Sequence, residues 1–199
     1  MSQPPTDQIT AKDRLSTKER IVAMADEMFY HHGFAQTSFA DIAARVGISR
    51  GNFYHHFKTK DDILRAVIAL RLTRTQAMLD AWESRAATPR ARIERFIDIL
   101  IMNRAKISRH GCPVGTLCTE LTKLDHSAQG EANALFTLFR NWLRIQFEGL
   151  GRIEEADALA LHLLARSQGA ATMAQAFGEE RFLYREVDHM CEWLDQIAA

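Results

Sequence analysis

The stretch "TSFADIAARVGISRGNFYHHF", residues 37–57, holds two short helical patterns separated by one turn. Ser38 is followed three residues later by Asp41, the arrangement of a capping box with Asp in place of the usual Glu or Gln. Phe39, Ile42, Ala43 and Val46 then recur on one helical face, and Gly47 stops the pattern. Ser49 is placed to cap a second helix, "RGNFYHHF", and Ser38 and Ser49 are also candidate DNA contacts. Two short helices joined by "VGIS" have the spacing of a helix-turn-helix.

The second of these helices carries an unusual set of side chains. A helix that enters the major groove needs groups near its N-terminus that reach base edges and phosphates. Arg50 suits guanine or phosphate, Asn52 suits a base edge, and Gly51 lets backbone come close to a duplex. Tyr54, His55 and His56 offer hydrogen bonds to phosphate and apolar contact with thymine methyls. Lys58 and Lys60 follow where they can pin the sugar-phosphate backbone. Phe53 and Phe57, four apart, are expected to face inward. A plain solvated face is the alternative reading of the same residues.

Upstream, Ile21, Ala25, Met28 and Phe29 mark a helix from Thr17, with Gly33 expected as a left-handed C-cap. Residues 1–14 are polar, contain Pro4-Pro5 and are expected to be a disordered arm; they lack the apolar segment of a secretory signal. Downstream the helices lengthen. Patterns over 59–87, 90–107, 116–124, 132–150, 154–177 and 185–198 bring the total to about nine, with a loop expected over "SRHGCPVG", residues 108–115. No alternating strand-like run occurs, so the fold class is all-α. The expected division is a DNA-binding domain over 15–62 and a ligand-binding and dimerisation domain over 63–199.

Composition narrows the function further. No apolar run reaches the ~18 residues of a membrane span. Three cysteines without framework spacing point to free thiols in a reducing, cytoplasmic setting. Residues 1–60 carry eight Lys/Arg against six Asp/Glu in a chain with 25 of each. DNA binding must therefore rest on a few well-placed groups rather than on a broad positive field.

Residues 18–64, "KERIVAMADEMFYHHGFAQTSFADIAARVGISRGNFYHHFKTKDDIL", resemble the DNA-binding domain of the tetracycline-repressor (TetR) family. The resemblance covers about a quarter of the chain. The glycine, tyrosine, histidine and phenylalanine of that family's recognition helix match Gly51, Tyr54, His56 and Phe57, and the lysine that opens its fourth helix matches Lys60. Its phosphate-contacting threonine matches Thr37. The wording "GNFYHHFKTK" is most similar to repressors of multidrug pumps. The resemblance implies a dimer on a palindromic operator, most often a repressor, released by a small-molecule inducer. It also implies that the last two helices pair in a four-helix dimer bundle.

The C-terminal part is read less directly. Trp82, Phe96, Met102, Leu117, Leu121, Phe136, Phe139, Trp142 and His162 are candidate walls of an inducer pocket, weighed against ordinary core. Cys112 lies between Gly111 and Pro113, behind Arg109 and His110, with Cys118 six residues on. A thiol-based redox or electrophile sensor is the alternative function, against small apolar filler. The spacing suits no zinc site, and no phosphate loop, nucleophile elbow or acid pair stands out. No enzyme activity, metal or cofactor is expected.

Overall fold

The computed structural model describes residues 15–198. The arm expected over 1–14 lies outside the described residues. Among them every regular element is a helix: α1 (Thr17–His32), α2 (Phe39–Val46), α3 (Arg50–His56), α4 (Lys60–Arg85), α5 (Pro89–Met102), α6 (Arg104–His110), α7 (Pro113–Lys123), α8 (Gln129–Gly149), α9 (Ala156–Phe177) and α10 (Glu180–Ala198). The packing divides the chain after Val67 into two units, with α4 beginning in the first and continuing in the second.

The first unit owes its helix starts to hydroxyl–carboxylate caps. Ser16 Oγ accepts from the Glu19 amide at 3.3 Å, and the Glu19 carboxylate accepts from the Ser16 amide at 2.8 Å. Ser38 and Asp41 exchange the same bonds at 3.1 Å each. Thr59 and Asp62 do so at 3.0 and 2.9 Å. The cap hydroxyls, helped by backbone amides, hold Glu19, Asp41 and Asp62 below the usual carboxylate range. Each such cap is worth ~1 kcal/mol. Between the helices, Ile21, Ala25 and Phe29 meet Ile42, Val46, Phe53, Phe57, Ile63 and Leu64 in a buried core. Gly47 is left-handed at φ 74°, ψ 36°, as a helix stop requires. Gly33 also has a positive φ, 85°, but its ψ of 159° places it outside the αL cap expected, in a region that only glycine enters readily.

In the second unit Leu79, Ile93, Phe96, Ile97, Phe139, Trp142, Leu143, Phe147, Leu163, Leu183 and Met190 share one core. The single helix expected over 90–107 is two. Asn103 ends α5 and begins α6, with φ −110° and ψ 10°. Its side-chain amide donates to the Ile99 carbonyl at 2.9 Å, competing with the helix's own ladder. The loop expected over 108–115 shrinks to Gly111 and Cys112 between α6 and α7. The glycines there serve close approach. A Cβ on Gly111 would lie 2.5 Å from Gln175 Oε1, and one on Gly115 would lie 2.5 Å from Gln168 Oε1. Two glutamines of α9 thus lie against the start of α7. α10 turns Leu183, Val187, Met190 and Leu194 inward and leaves Arg181, Arg185, Asp188, Glu192 and Asp195 exposed.

Candidate functional site

α3 is short, and its position is fixed from beneath. Phe53 is fully buried and Phe57 is 5% exposed, so the inward pair expected from the sequence is present. Ser49 caps the helix, accepting from the Asn52 amide at 3.3 Å. Arg50, Gly51 and Asn52 all lie exposed in the first turn. A Cβ built on Gly51 meets nothing within 4 Å, so its surface side is open. Tyr54 is half exposed and stacks on Phe39 with ring centroids 4.9 Å apart. Phe39 meets Phe53 edge-on at 4.4 Å. Phe39 is therefore the platform that sets the height of the Tyr54 hydroxyl. The sequence reading placed Phe39 only on an apolar face. His55 is exposed, His56 is half-buried, and their rings meet edge-on at 5.4 Å.

Three polar residues are tied internally. Thr37 is 2% exposed, and its hydroxyl donates to the Gly33 carbonyl at 2.8 Å. A phosphate contact through that hydroxyl would require it to turn out of the core. Thr37 closes the turn between α1 and α2. Ser38, beside it, is exposed and sits at the N-terminus of α2. Lys60 donates to the Phe34 carbonyl at 3.0 Å and lies 4.2 Å from the centre of the Phe34 ring. Lys58 donates to the Tyr54 carbonyl at 2.6 Å, closing the C-terminus of α3.

Residues 21–67 match the family model described as bacterial regulatory proteins, tetR family. An HTH-type transcriptional regulator in the lacX 3′ region of Lactococcus lactis subsp. lactis is 29% identical over 159 residues, covering 78% of this chain and 81% of that protein. The HTH-type transcriptional repressor DhaR of Mycobacterium sp. strain GP1 is 24% identical over 167 residues, covering 79% of this chain and 81% of that one. The crystal structure of a TetR transcriptional regulator from Legionella pneumophila superimposes with a TM-score of 0.79 at 27% identity, over 92% of this chain and 97% of that chain. Residues 21–67 thus match a tetR-family DNA-binding domain, and the chain as a whole is similar to TetR-family transcriptional regulators.

The second unit scatters the residues read as pocket walls. Trp82 and Trp142 meet edge-on at 5.6 Å, as do Phe96 and Phe139. Phe96, Phe139 and Trp142 are buried core. Leu117 and Leu121 are buried on α7. Phe136 is half-buried in a groove between α8 and α9 that also includes Leu161, Ala165 and Gln168. Met102 is 72% exposed at the end of α5, and His162 is exposed with its ring 5.1 Å from that of Trp193. Met102 and His162 are thus not brought together with the aromatic cluster. Trp142 Nε1 is buried without a hydrogen-bond partner.

A wide groove lies elsewhere in the second unit. A cleft of about 800 Å³ runs between α4 and α8, lined chiefly by Leu72, Gln76, Asp80, Ala134, Leu138 and Asn141. None of these stood out in the sequence, since small and polar residues on long helices look like solvated faces.

The cysteines are separated by helix geometry. Cys112 is the N-cap of α7 and Cys118 lies in its second turn. A rise of 1.5 Å per residue sets their α-carbons ~9 Å apart along the axis, beyond the ~7 Å that a disulfide spans. A Cys112–Cys118 bridge therefore needs α7 to unwind. Burial, reinforced by the neighbouring Cys112, pushes the Cys118 thiol up to about 11. Cys118 is accordingly an apolar filler. Among the described residues no cluster of His, Cys, Asp or Glu is arranged to hold a metal ion, and no helix is long and apolar enough to cross a membrane.

Proposed function

We propose that this protein is a cytoplasmic, dimeric repressor that binds a palindromic operator and is released by a small apolar or amphipathic ligand. The observation that carries the DNA reading is the first turn of α3, where Arg50, Gly51 and Asn52 stand exposed over a buried Phe53. Arg50 and Asn52 read base edges, and the Tyr54 hydroxyl, Ser38 and the histidines meet phosphate. The relative DhaR bears the name of a repressor, which supports that sense of regulation.

A palindromic operator needs a two-fold dimer. The exposed side of α9 supports one: Ala158, Leu161, Ala165, Gly169, Met173 and Ala176 form a stripe of small and apolar groups at helical spacing. Such a stripe allows a second helix to approach closely. α10 is a poor partner because its apolar face is spent on the core and its outer face is charged. The dimer reading therefore rests on α9 with α8 rather than on the last two helices.

The test is fluorescence anisotropy with duplexes from the region upstream of the protein's own gene, against scrambled duplexes of equal length. A saturable preference for one two-fold sequence, at two chains per duplex, is expected. Equal binding to all sequences would remove the operator reading. Light scattering on Ala165→Glu tests the interface, with a shift from dimer to monomer expected.

A further inference from the structure

The α4–α8 cleft is an open groove: Leu72, Ala134 and Leu138 are half-buried along its floor, and Gln76, Asp80, Asn133 and Asn141 stand exposed on its walls. Its volume of about 800 Å³ falls within the range of small-molecule pockets. Leu72, Ala77, Ala134 and Leu138 supply apolar surface. Thr73, Gln76, Asn133, Thr137 and Asn141 supply neutral hydrogen-bonding groups. Among the eleven lining residues Asp80 alone carries a formal charge. Gln76 Nε2 donates to its carboxylate at 2.7 Å, which steadies Asp80 without neutralising it. A carboxylate on an otherwise neutral, partly apolar wall favours a cation and disfavours an anion. The aromatic pair Trp82–Trp142 stands close by in sequence, two residues past Asp80 and one past Asn141.

We propose that this cleft is the effector site and that it takes an amphipathic organic cation, with Asp80 meeting the positive charge and α8 supplying the apolar and amide contacts. This rests on the ligand-released reading above and narrows it to one site and one charge class. The cleft differs from the aromatic core in requiring no repacking to admit a ligand.

Two ions of the same shape and opposite charge test it. Tetraphenylphosphonium and tetraphenylborate are titrated into the full-length protein, with binding read by calorimetry and by tryptophan fluorescence. Tetraphenylphosphonium is expected to bind saturably, at least tenfold more tightly than tetraphenylborate. Asp80→Asn is expected to weaken the cation about fivefold, the size of one partly exposed charge contact. Ala134→Phe, which fills the cleft, is expected to abolish binding. Circular dichroism confirms that each variant is folded. Equal affinity for the two ions, unchanged cation affinity in Asp80→Asn, or absence of saturable binding, as when a second copy seals the cleft, would overturn the proposal. Operator binding by the unmodified protein is measured in parallel. Failure there removes the repressor reading. Operator binding with release only by an anionic or neutral compound removes this inference alone.

Discussion

Lys60 Nζ donates to the Phe34 carbonyl at 3.0 Å while sitting 4.2 Å from the centre of the Phe34 ring. One side chain thus ties the start of α4 to the turn that follows α1. The sequence assigns this lysine to a phosphate, yet one of its donors is already engaged within the protein. Lys60→Ala is expected to destabilise the N-terminal unit by ~1 kcal/mol, the worth of one such bond. The slope of log affinity against log salt is expected to fall by less than the ~1 unit of a full phosphate contact. Chemical denaturation and salt-dependent anisotropy measure the two effects separately.

Arg50 and Asn52 are expected to set sequence preference. Replacing either by alanine should cost ~1–3 kcal/mol on the operator and relax discrimination at particular base pairs. Tyr54→Phe keeps the stack on Phe39 and loses only the hydroxyl, so it should weaken all duplexes about equally. Tyr54→Ala also removes the stack and should weaken them further. A panel of single-base operator variants resolves these outcomes.

Arg71 is almost fully buried, and its guanidinium donates to the Pro113 carbonyl at 2.6 Å. This joins α4 to the first turn of α7, where no cap side chain is present. Arg71→Met keeps the volume and deletes the charge-assisted bond. It should lower stability by ~2 kcal/mol, read as a shift in the urea midpoint.

Cys112 should alkylate well before Cys118 and Cys191. Burial raises the thiols of Cys118 and Cys191, so little thiolate forms on either near neutral pH. Because the folded value of Cys118 lies above its ordinary one, its contribution is full below pH ~9 and is lost as pH rises through about 11. Peptide mapping after timed iodoacetamide treatment gives the order. Oxidation should likewise yield an adduct at Cys112 rather than an internal bridge.

What the sequence made legible was whatever local chemistry decides. Hydroxyl–acid pairs at Ser38–Asp41 and Thr59–Asp62 set helix starts, and the Phe53–Phe57 pair fixed the inner face of α3. The break at Asn103 was hidden because apolar residues run on through Ile101, Met102 and Ile107 without glycine or proline. The inward turn of Thr37 was hidden because a hydroxyl suits a phosphate or a carbonyl equally well. The α4–α8 cleft was hidden for a different reason. It is a gap between two helices whose separation depends on what packs beneath them.

Gly51 sits mid-turn in α3 with nothing within 4 Å of where a Cβ would stand, and its backbone needs no positive φ. The folded chain alone would gain from alanine there, by ~1 kcal/mol of helix propensity. Only a duplex pressed against α3 would object. Selection of libraries for thermal resistance should therefore enrich Gly51→Ala, while selection for repression should eliminate it. On the DNA contact proposed for α3, position 51 would record the partner's shape in a residue that the protein's own stability argues against.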